Sequence, residues 1–211
     1  MANTLQFYTN PMSRGRIAHW MLEEIGVPYE THLLNMKRGE HKSAEYLKIN
    51  PMGKVPTLVH NGVVITEAAA ICAYLADAFP QAKLAPATAS PERGTYLRWF
   101  FFSSGPVEAA LTDKTNPRAT EARASMLSYG TYADTLDTLE KALTPGPFVL
   151  GEQFTAVDLY IASQIGYGLM VKSLEARPVF LEYLQRCASR PGYERANAKF
   201  KELEDTLAAK T

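Results

Sequence analysis

Cysteine is nearly missing from this chain: Cys72 and Cys187 are the only two. Two thiols cannot form a disulfide framework or a cysteine-rich metal site, so no metal is expected, and a reducing, cytoplasmic setting fits. A surplus of either charge is missing too, because 22 Lys and Arg balance 22 Asp and Glu. Without extra cations to neutralise phosphates, nucleic-acid binding is not expected. No apolar run reaches membrane-spanning length, since Thr, Ser, Gly or Pro interrupt the longest uncharged stretches, so no membrane partner is expected. Met1 to Gln6 has neither a basic n-region nor an apolar h-region, and no secretory leader is expected. Internal repeats and low-complexity tracts are also lacking. What remains is 211 residues, enough for one large domain or two modest ones with a real core.

The patterning changes near residue 80. Before it, β-like runs alternate with helical ones. Leu5 to Tyr8 is short, apolar and aromatic, and Asn10-Pro11 ends it as a turn. Ile17, Trp20, Met21 and Ile25 recur at helical spacing, with Gly26 placed to end that helix. Tyr29 to Leu34 reads as a second strand, which completes a βαβ unit. Residues 37–49 read as a loop with a short helix. Val55 to His60 and Val63 to Thr66 read as two strands joined by an Asn61-Gly62 type I′ turn, and Glu67 opens a helix carrying Ile71, Tyr74, Leu75, Ala78 and Phe79. The order β-α-β-α-β-β-α is that of a thioredoxin-like domain, although it also suits other small α/β domains.

Residues 81–90 read as a linker, and everything after them is helical. The expected division is an α/β domain over 1–80, the linker, and an all-α helical bundle over 91–211. The bundle holds an aromatic cluster from Trp99 to Phe102 and a long amphipathic helix from Met126 to Leu143. Its centre is a helix from about Ala156 to Val171 that is apolar on every side.

Three segments resemble the glutathione transferase family in order and spacing. They are Phe7 to Arg16 (FYTNPMSRGR), Gly39-Glu40-His41 followed by Asn50 to Leu58 (NPMGKVPTL), and Thr66 to Ile71 (TEAAAI). Phe154 to Asp158 resembles the capping box of that family's central helix in the second domain. The resemblance implies a thioredoxin-like glutathione-binding domain, a helical domain for the second substrate and for dimer contacts, and a cytoplasmic homodimer. It also implies glutathione as co-substrate and a hydrophobic small-molecule electrophile as partner.

The chemistry implied starts from a thiol. A free cysteine thiol has a pKa of about 8.5, and lowering it by about two units takes roughly 2.7 kcal/mol of thiolate stabilisation. One charge-assisted hydrogen bond contributes about 1.5–3 kcal/mol, so a single hydroxyl at a helix mouth suffices. Ser13 stands there, and its commonest alternative use is as an N-cap. Tyr8 is the rival, since some branches of the family use a tyrosine at the end of the first strand. No cysteine lies near Ser13, which disfavours the disulfide chemistry of the thiol-transfer branches.

By the same resemblance Pro56 is the family's cis-proline, and the backbone of Val55 pairs with the cysteinyl unit of glutathione. Glu67 and Ala68 hold the γ-glutamyl end at a helix N-terminus, and His41 and Lys54 take the glycine end. Ala68 departs from the commoner serine after the Glu, and Gly53 stands where some relatives have histidine. Trp99 and Phe102, with Tyr167 and Met170, are candidates for the second substrate's pocket, although aromatic residues at helical spacing are more often core. Two further readings stay open: a non-catalytic binding protein on the same scaffold, and a glutathione-dependent peroxidase or dehalogenase using the same site.

Overall fold

The structure is a computed structural model and describes residues 4–120 and 122–209. The chain forms two compact units. The first runs to Ala82 and takes in the segment from Arg190 onward; the second is Lys83–Ser189.

The first unit is built on a four-stranded mixed sheet. Strand β1 (Leu5–Thr9) buries Leu5, Phe7 and Thr9 and turns Gln6 and Tyr8 to the other face, the period-two pattern of a half-covered strand. Helix α1 (Gly15–Ile25) follows and buries Ile17, Ala18, Trp20, Met21, Leu22 and Ile25. It ends where Gly26, at φ 68°, donates its N–H to the Leu22 carbonyl, the termination the sequence foretells. Strand β2 (Glu30–Leu33) lies parallel to β1, which completes the βαβ unit.

Two 3₁₀ turns, Met36–Arg38 and Glu40–Lys42, and the short helix α2 (Ala44–Ile49) cross to strand β3 (Thr57–His60). Strand β4 (Val63–Thr66) returns antiparallel through Asn61 and Gly62, both at positive φ as a type I′ turn requires. The sheet order is β2-β1-β3-β4. Helix α3 (Ala68–Ala78) packs beside α1, and Phe7, Leu22, Leu58, Ile71, Cys72 and Leu75 are fully buried. The β3 ladder starts two residues later than the sequence pattern suggests, after Pro56, which has no N–H to give to it; the Val55-Pro56 peptide is cis.

The second unit is helical: α4 (Glu92–Phe102), α5 (Glu108–Thr115), α6 (Tyr132–Leu143), α7 (Ala156–Met170) and α8 (Pro178–Ala188). A π-turn over Ser103–Val107 joins α4 to α5 around Pro106, which has no N–H to give. Helix α7 is the centre of the unit, with Val157, Leu159, Tyr160, Ile161, Ala162 and Ile165 buried. Its capping box between Thr155 and Asp158 is formed as the sequence suggests. Helix α6 is shorter than the expected span. Gly130 takes φ 64°, the Thr131 hydroxyl accepts from the Asp134 N–H to start the helix there, and Met126 is left 79% exposed in a separate 3₁₀ turn.

The last helix, α9 (Pro191–Ala209), packs along α1 and so belongs to the first unit, where the sequence pattern groups it with the other late helices. Complementary charge holds it. Arg190 donates to both carboxylate oxygens of Glu24 at 3.0 and 2.8 Å, and Lys199 Nζ reaches Glu23 Oε1 at 2.6 Å. The Trp20 and Tyr193 rings meet edge-on at 4.8 Å. Among the described residues, no helix is long and apolar enough to cross a membrane.

Candidate functional site

Ser13 sits in the turn between β1 and α1, and Arg14, not Ser13, occupies the N-cap position of the helix. The Ser13 hydroxyl accepts from the Gly15 N–H at 3.0 Å and donates to the Asn10 carbonyl at 2.6 Å. Asn10 is itself fixed, since its amide donates to the Leu34 carbonyl and its side-chain oxygen accepts from the Met12 N–H. The hydroxyl is therefore held at a helix mouth by one donor and one acceptor, and rotation about χ1 or the C–O bond is all it needs to redirect its proton.

Tyr8 lies elsewhere. It points to the opposite face of the sheet from the buried Phe7 and Thr9, stacked on the His32 ring at 4.4 Å and tilted against Tyr46 at 5.7 Å. Burial, with the negative charge of Glu30 nearby, raises its pKa above the ordinary phenol value. It stays a neutral donor, and its hydroxyl reaches only as far as Gln6 Oε1 at 3.5 Å.

The turn before β3 is held by a buried polar cluster that the sequence did not single out. The Lys54 carbonyl accepts from the Tyr46 hydroxyl at 2.6 Å and from Asn50 Nδ2 at 2.8 Å. Both groups also reach Thr57 Oγ1, at 2.8 and 3.2 Å. Tyr46, Asn50 and Thr57 are buried, so this cluster fixes the backbone on either side of Val55 and Pro56. Val55 lies just outside the β1–β3 ladder, whose last pair is Tyr8 with Thr57. Tyr46 falls in the stretch that reads as a loop with a short helix and Thr57 in one that reads as a strand, so no sequence pattern joins the members of this cluster.

Glu67 is the N-cap of α3 and adopts φ 63°, ψ 118°, a conformation that side-chain-bearing residues rarely take. Holding it costs on the order of 1–3 kcal/mol, and such strain collects at ligand-binding positions. The carboxylate is exposed, with only the Thr66 hydroxyl at 3.3 Å, and Ala68 is buried behind it. Among the described residues no side chain caps this helix, so its first N–H groups lack a side-chain acceptor.

His41 lies half-buried in the second 3₁₀ turn, its Nδ1 shielded and unpaired. The Lys54 side chain is exposed. Gly53 between them is at φ 58°, and a Cβ there would stand 2.7 Å from the His41 carbonyl oxygen, so this backbone admits no side chain. In the second unit Trp99 is buried, with Arg98 over its ring at 4.4 Å and Phe102 edge-on at 5.5 Å. Phe102 is half-buried, while Phe101, Tyr167 and Met170 are 71, 55 and 68% exposed.

One cleft of about 320 Å³ opens in the first unit. Its walls are the turn after β1 (Asn10, Pro11, Met12), the first 3₁₀ turn with its cap (Asn35, Met36, Lys37), and the end of α9 (Glu204, Leu207, Ala208). The volume suits a small organic molecule. The Ser13 hydroxyl is bonded to one wall of this cleft through the Asn10 carbonyl. None of the residues expected to hold the tripeptide lines it, and its lining residues were not singled out from the sequence as site residues. Among the described residues, no cluster of His, Cys, Asp or Glu is arranged to hold a metal.

Comparison with known proteins bears on this geometry. The family model described as "Glutathione S-transferase, N-terminal domain" matches residues 3–77, and "Glutathione S-transferase, C-terminal domain" matches residues 119–186. Glutathione S-transferase GstA of Escherichia coli O157:H7 is 25% identical over 97% of this chain and 98% of its own. The crystal structure of a glutathione transferase from Methylococcus capsulatus superposes with a TM-score of 0.78 at 28% identity, covering 95% of this chain and 98% of that one. A sphingomonad glutathione S-transferase complexed with glutathione gives a TM-score of 0.77 at 26% identity, covering 93 and 98%.

Proposed function

Because the chain belongs to the glutathione S-transferase family, we propose that it conjugates glutathione to hydrophobic electrophiles, with Ser13 as the group that stabilises the thiolate. The observation that carries the assignment to Ser13 is the position of its hydroxyl. It stands at the mouth of α1 and is bonded to the wall of a cleft in the first unit. Tyr8 is stacked into an aromatic group on the face of the sheet opposite Phe7 and Thr9, and its proton is held more tightly than usual.

The tripeptide is held along the first unit. Val55, kept straight by the Tyr46–Asn50–Thr57 cluster, offers its backbone to the cysteinyl unit as an added strand would. The uncapped first turn of α3 receives the γ-glutamyl carboxylate, and Glu67 takes the ammonium. His41 and Lys54 stand for the glycine carboxylate. Ser13 then rotates from the Asn10 carbonyl to donate to the sulfur. That bond is worth about 1.5–3 kcal/mol, close to what one or two units of thiol pKa require.

The second substrate lies in the cleft, its apolar body on Met12, Met36 and Leu207. Methionine walls are adaptable and suit a range of shapes. Thiolate attack on the electrophilic carbon forms the C–S bond, and where the substrate is an aryl halide the halide leaves with the pair of electrons from its own bond. The gain in rate comes from a larger thiolate fraction and from holding two reactants together. We place this activity in the cytoplasm, in a homodimer that clears reactive electrophiles.

The experiment is turnover of 1-chloro-2,4-dinitrobenzene together with the ultraviolet titration of enzyme-bound glutathione. Ser13→Ala is expected to return the bound thiol toward a pKa of about 8.5 and to lower kcat by about 10- to 100-fold, with Tyr8→Phe closer to wild type. The opposite ranking would move the role to Tyr8. Tight glutathione binding with no turnover of any electrophile would leave a scaffold and no enzyme.

A further inference from the structure

His19, in the middle of α1, is 1% exposed, and neither of its ring nitrogens has a hydrogen-bond partner among the described residues. A buried polar group without a partner is rare enough in folded proteins to call for a reason. Three rings enclose the imidazole: Phe7 of β1 at 5.6 Å, Tyr29 at 5.8 Å and Phe200 of α9 at 5.9 Å. Two of the walls come from the sheet side and one from α9, so α9 is the removable side of the box.

The carboxylate that acts on the ring, Glu23, is already engaged by other groups. Glu23, one turn along α1, already receives the Tyr29 hydroxyl and Lys199 Nζ, both at 2.6 Å, with Arg195 Nε at 3.4 Å. Arg16, one turn before His19, places its guanidinium over the Phe200 ring at 4.1 Å. From α9 the groups that face this region are therefore cationic, Lys199 and Arg195. Phe7 brings no charge, and α3, also packed on α1, carries a single charged residue, Asp77. A second positive charge on the ring would meet Lys199 with its counter-ion already taken.

We propose that His19 is a pH-sensitive latch between α1 and α9: the neutral imidazole lets α9 close over it, and the imidazolium drives α9 off α1. The end of α9 forms one wall of the cleft, so acid would open that wall. The consequence for catalysis rests on the role proposed for the cleft; the latch itself does not. Burial holds the closed imidazole's pKa at about 4, with Glu23 pulling the other way and Lys199 adding to the depression. Once α9 lifts, the ring meets water and returns to an ordinary value of about 6.5. The closed state is thus fully favoured above about pH 6.5 and loses ground as pH falls toward 4. Between pH 7.5 and pH 5 the opening equilibrium rises by roughly 30-fold, the ratio of proton binding by the two states.

The test is hydrogen exchange by mass spectrometry on the full chain at pH 7.5 and 5, with rates corrected for intrinsic chemistry. Peptides from α9 are expected to lose protection by roughly 30-fold at pH 5 while α7 peptides hold theirs, and His19→Phe is expected to remove the difference. A flat α9, an α9 that opens only together with α7, or an unchanged pH dependence in His19→Phe overturns the proposal. Imidazole NMR of the wild-type protein tests it without a variant. His19 should stay neutral until α9 loses protection, and titration near pH 6.5 with α9 still protected also overturns it.

Discussion

The Gly15 N–H donates to the Ser13 hydroxyl at 3.0 Å, so the first residue of α1 and the residue assigned to the thiol are positioned as one unit. Gly15 is buried, and a Cβ in its place would overlap Thr9 Oγ1 and stand 3.0 Å from Ser13 Oγ. Thr9 is 2% exposed and has little room to move. Gly15→Ala is expected to cost about 1–3 kcal/mol of stability by overpacking. It should also lower kcat with a smaller change in the KM for glutathione, because the hydroxyl is displaced while the contacts proposed for the tripeptide at Val55 and Glu67 remain. Thermal unfolding and steady-state kinetics check both, and a variant with wild-type kcat would uncouple Gly15 from Ser13.

Tyr46→Phe removes one hydroxyl from the cluster that fixes the turn at Val55. The Lys54 carbonyl loses its 2.6 Å donor and keeps Asn50 and the long 3.5 Å bond from Thr57, while Thr57 Oγ1, fully buried, loses its shortest partner and keeps Asn50 at 3.2 Å. The expected loss is about 1–3 kcal/mol of stability. The functional signature expected is a several-fold rise in the KM for glutathione with kcat nearly kept, since the residue touches no reacting atom. Calorimetric titration of glutathione without the electrophile isolates that effect.

Glu67 combines backbone strain with the ligand role proposed for it, and the two can be separated. Glu67→Gly relieves about 1–3 kcal/mol of backbone strain but adds roughly 0.5–1 kcal/mol of unfolded-state entropy, so stability should hold or rise. Glu67→Gln keeps the strain and loses only the charge. Both are expected to weaken glutathione at least tenfold. A glycine variant that binds normally would show that the carboxylate makes no contact with the ligand.

The sequence made the fold legible wherever the determinant was local. The Gly26 stop, the Asn61-Gly62 turn, the Thr155–Asp158 capping box and the apolar face of α7 each follow from residues a few positions apart. It was silent where the partners are distant. Arg190, Arg195 and Lys199 meet Glu24 and Glu23 across 166 to 176 residues of chain, which is why α9 could not be placed on α1 from its own pattern. The site divides in the same way. Ser13, Val55, Pro56 and Glu67 lie in contiguous motifs and could be proposed, whereas the cleft needs three segments far apart in the chain, one of them α9. The aromatic run from Trp99 to Phe102 could not be sorted into core and surface either, because four consecutive helical positions point in four directions.

Asp158 separates a local cap from a long-range anchor. Within the capping box alone, the pair with Thr155 would be worth about 1–2 kcal/mol. The structure gives Asp158 more. It is fully buried, and its carboxylate accepts from the Thr155 N–H and hydroxyl, both at 2.8 Å, from the Val149 N–H at 2.8 Å and from the Tyr183 hydroxyl at 2.6 Å. Four donors converge on two oxygens, and the bonds tie the loop before α7 and the middle of α8 to the start of α7. Asp158→Asn would turn an amide N–H₂ toward donors, leaving at least one buried pair facing donor to donor. The expected cost is about 3–5 kcal/mol, against about 1–2 kcal/mol for Thr155→Ala. Tyr183→Phe should cost less on its own and should show a coupling of more than about 0.5 kcal/mol with Asp158→Asn in a double-mutant cycle, because the two share one bond. Urea unfolding of the wild type, the three single variants and the Asp158→Asn/Tyr183→Phe double variant measures these terms. Equal losses for Thr155→Ala and Asp158→Asn would show that Asp158 does no more than cap its own helix.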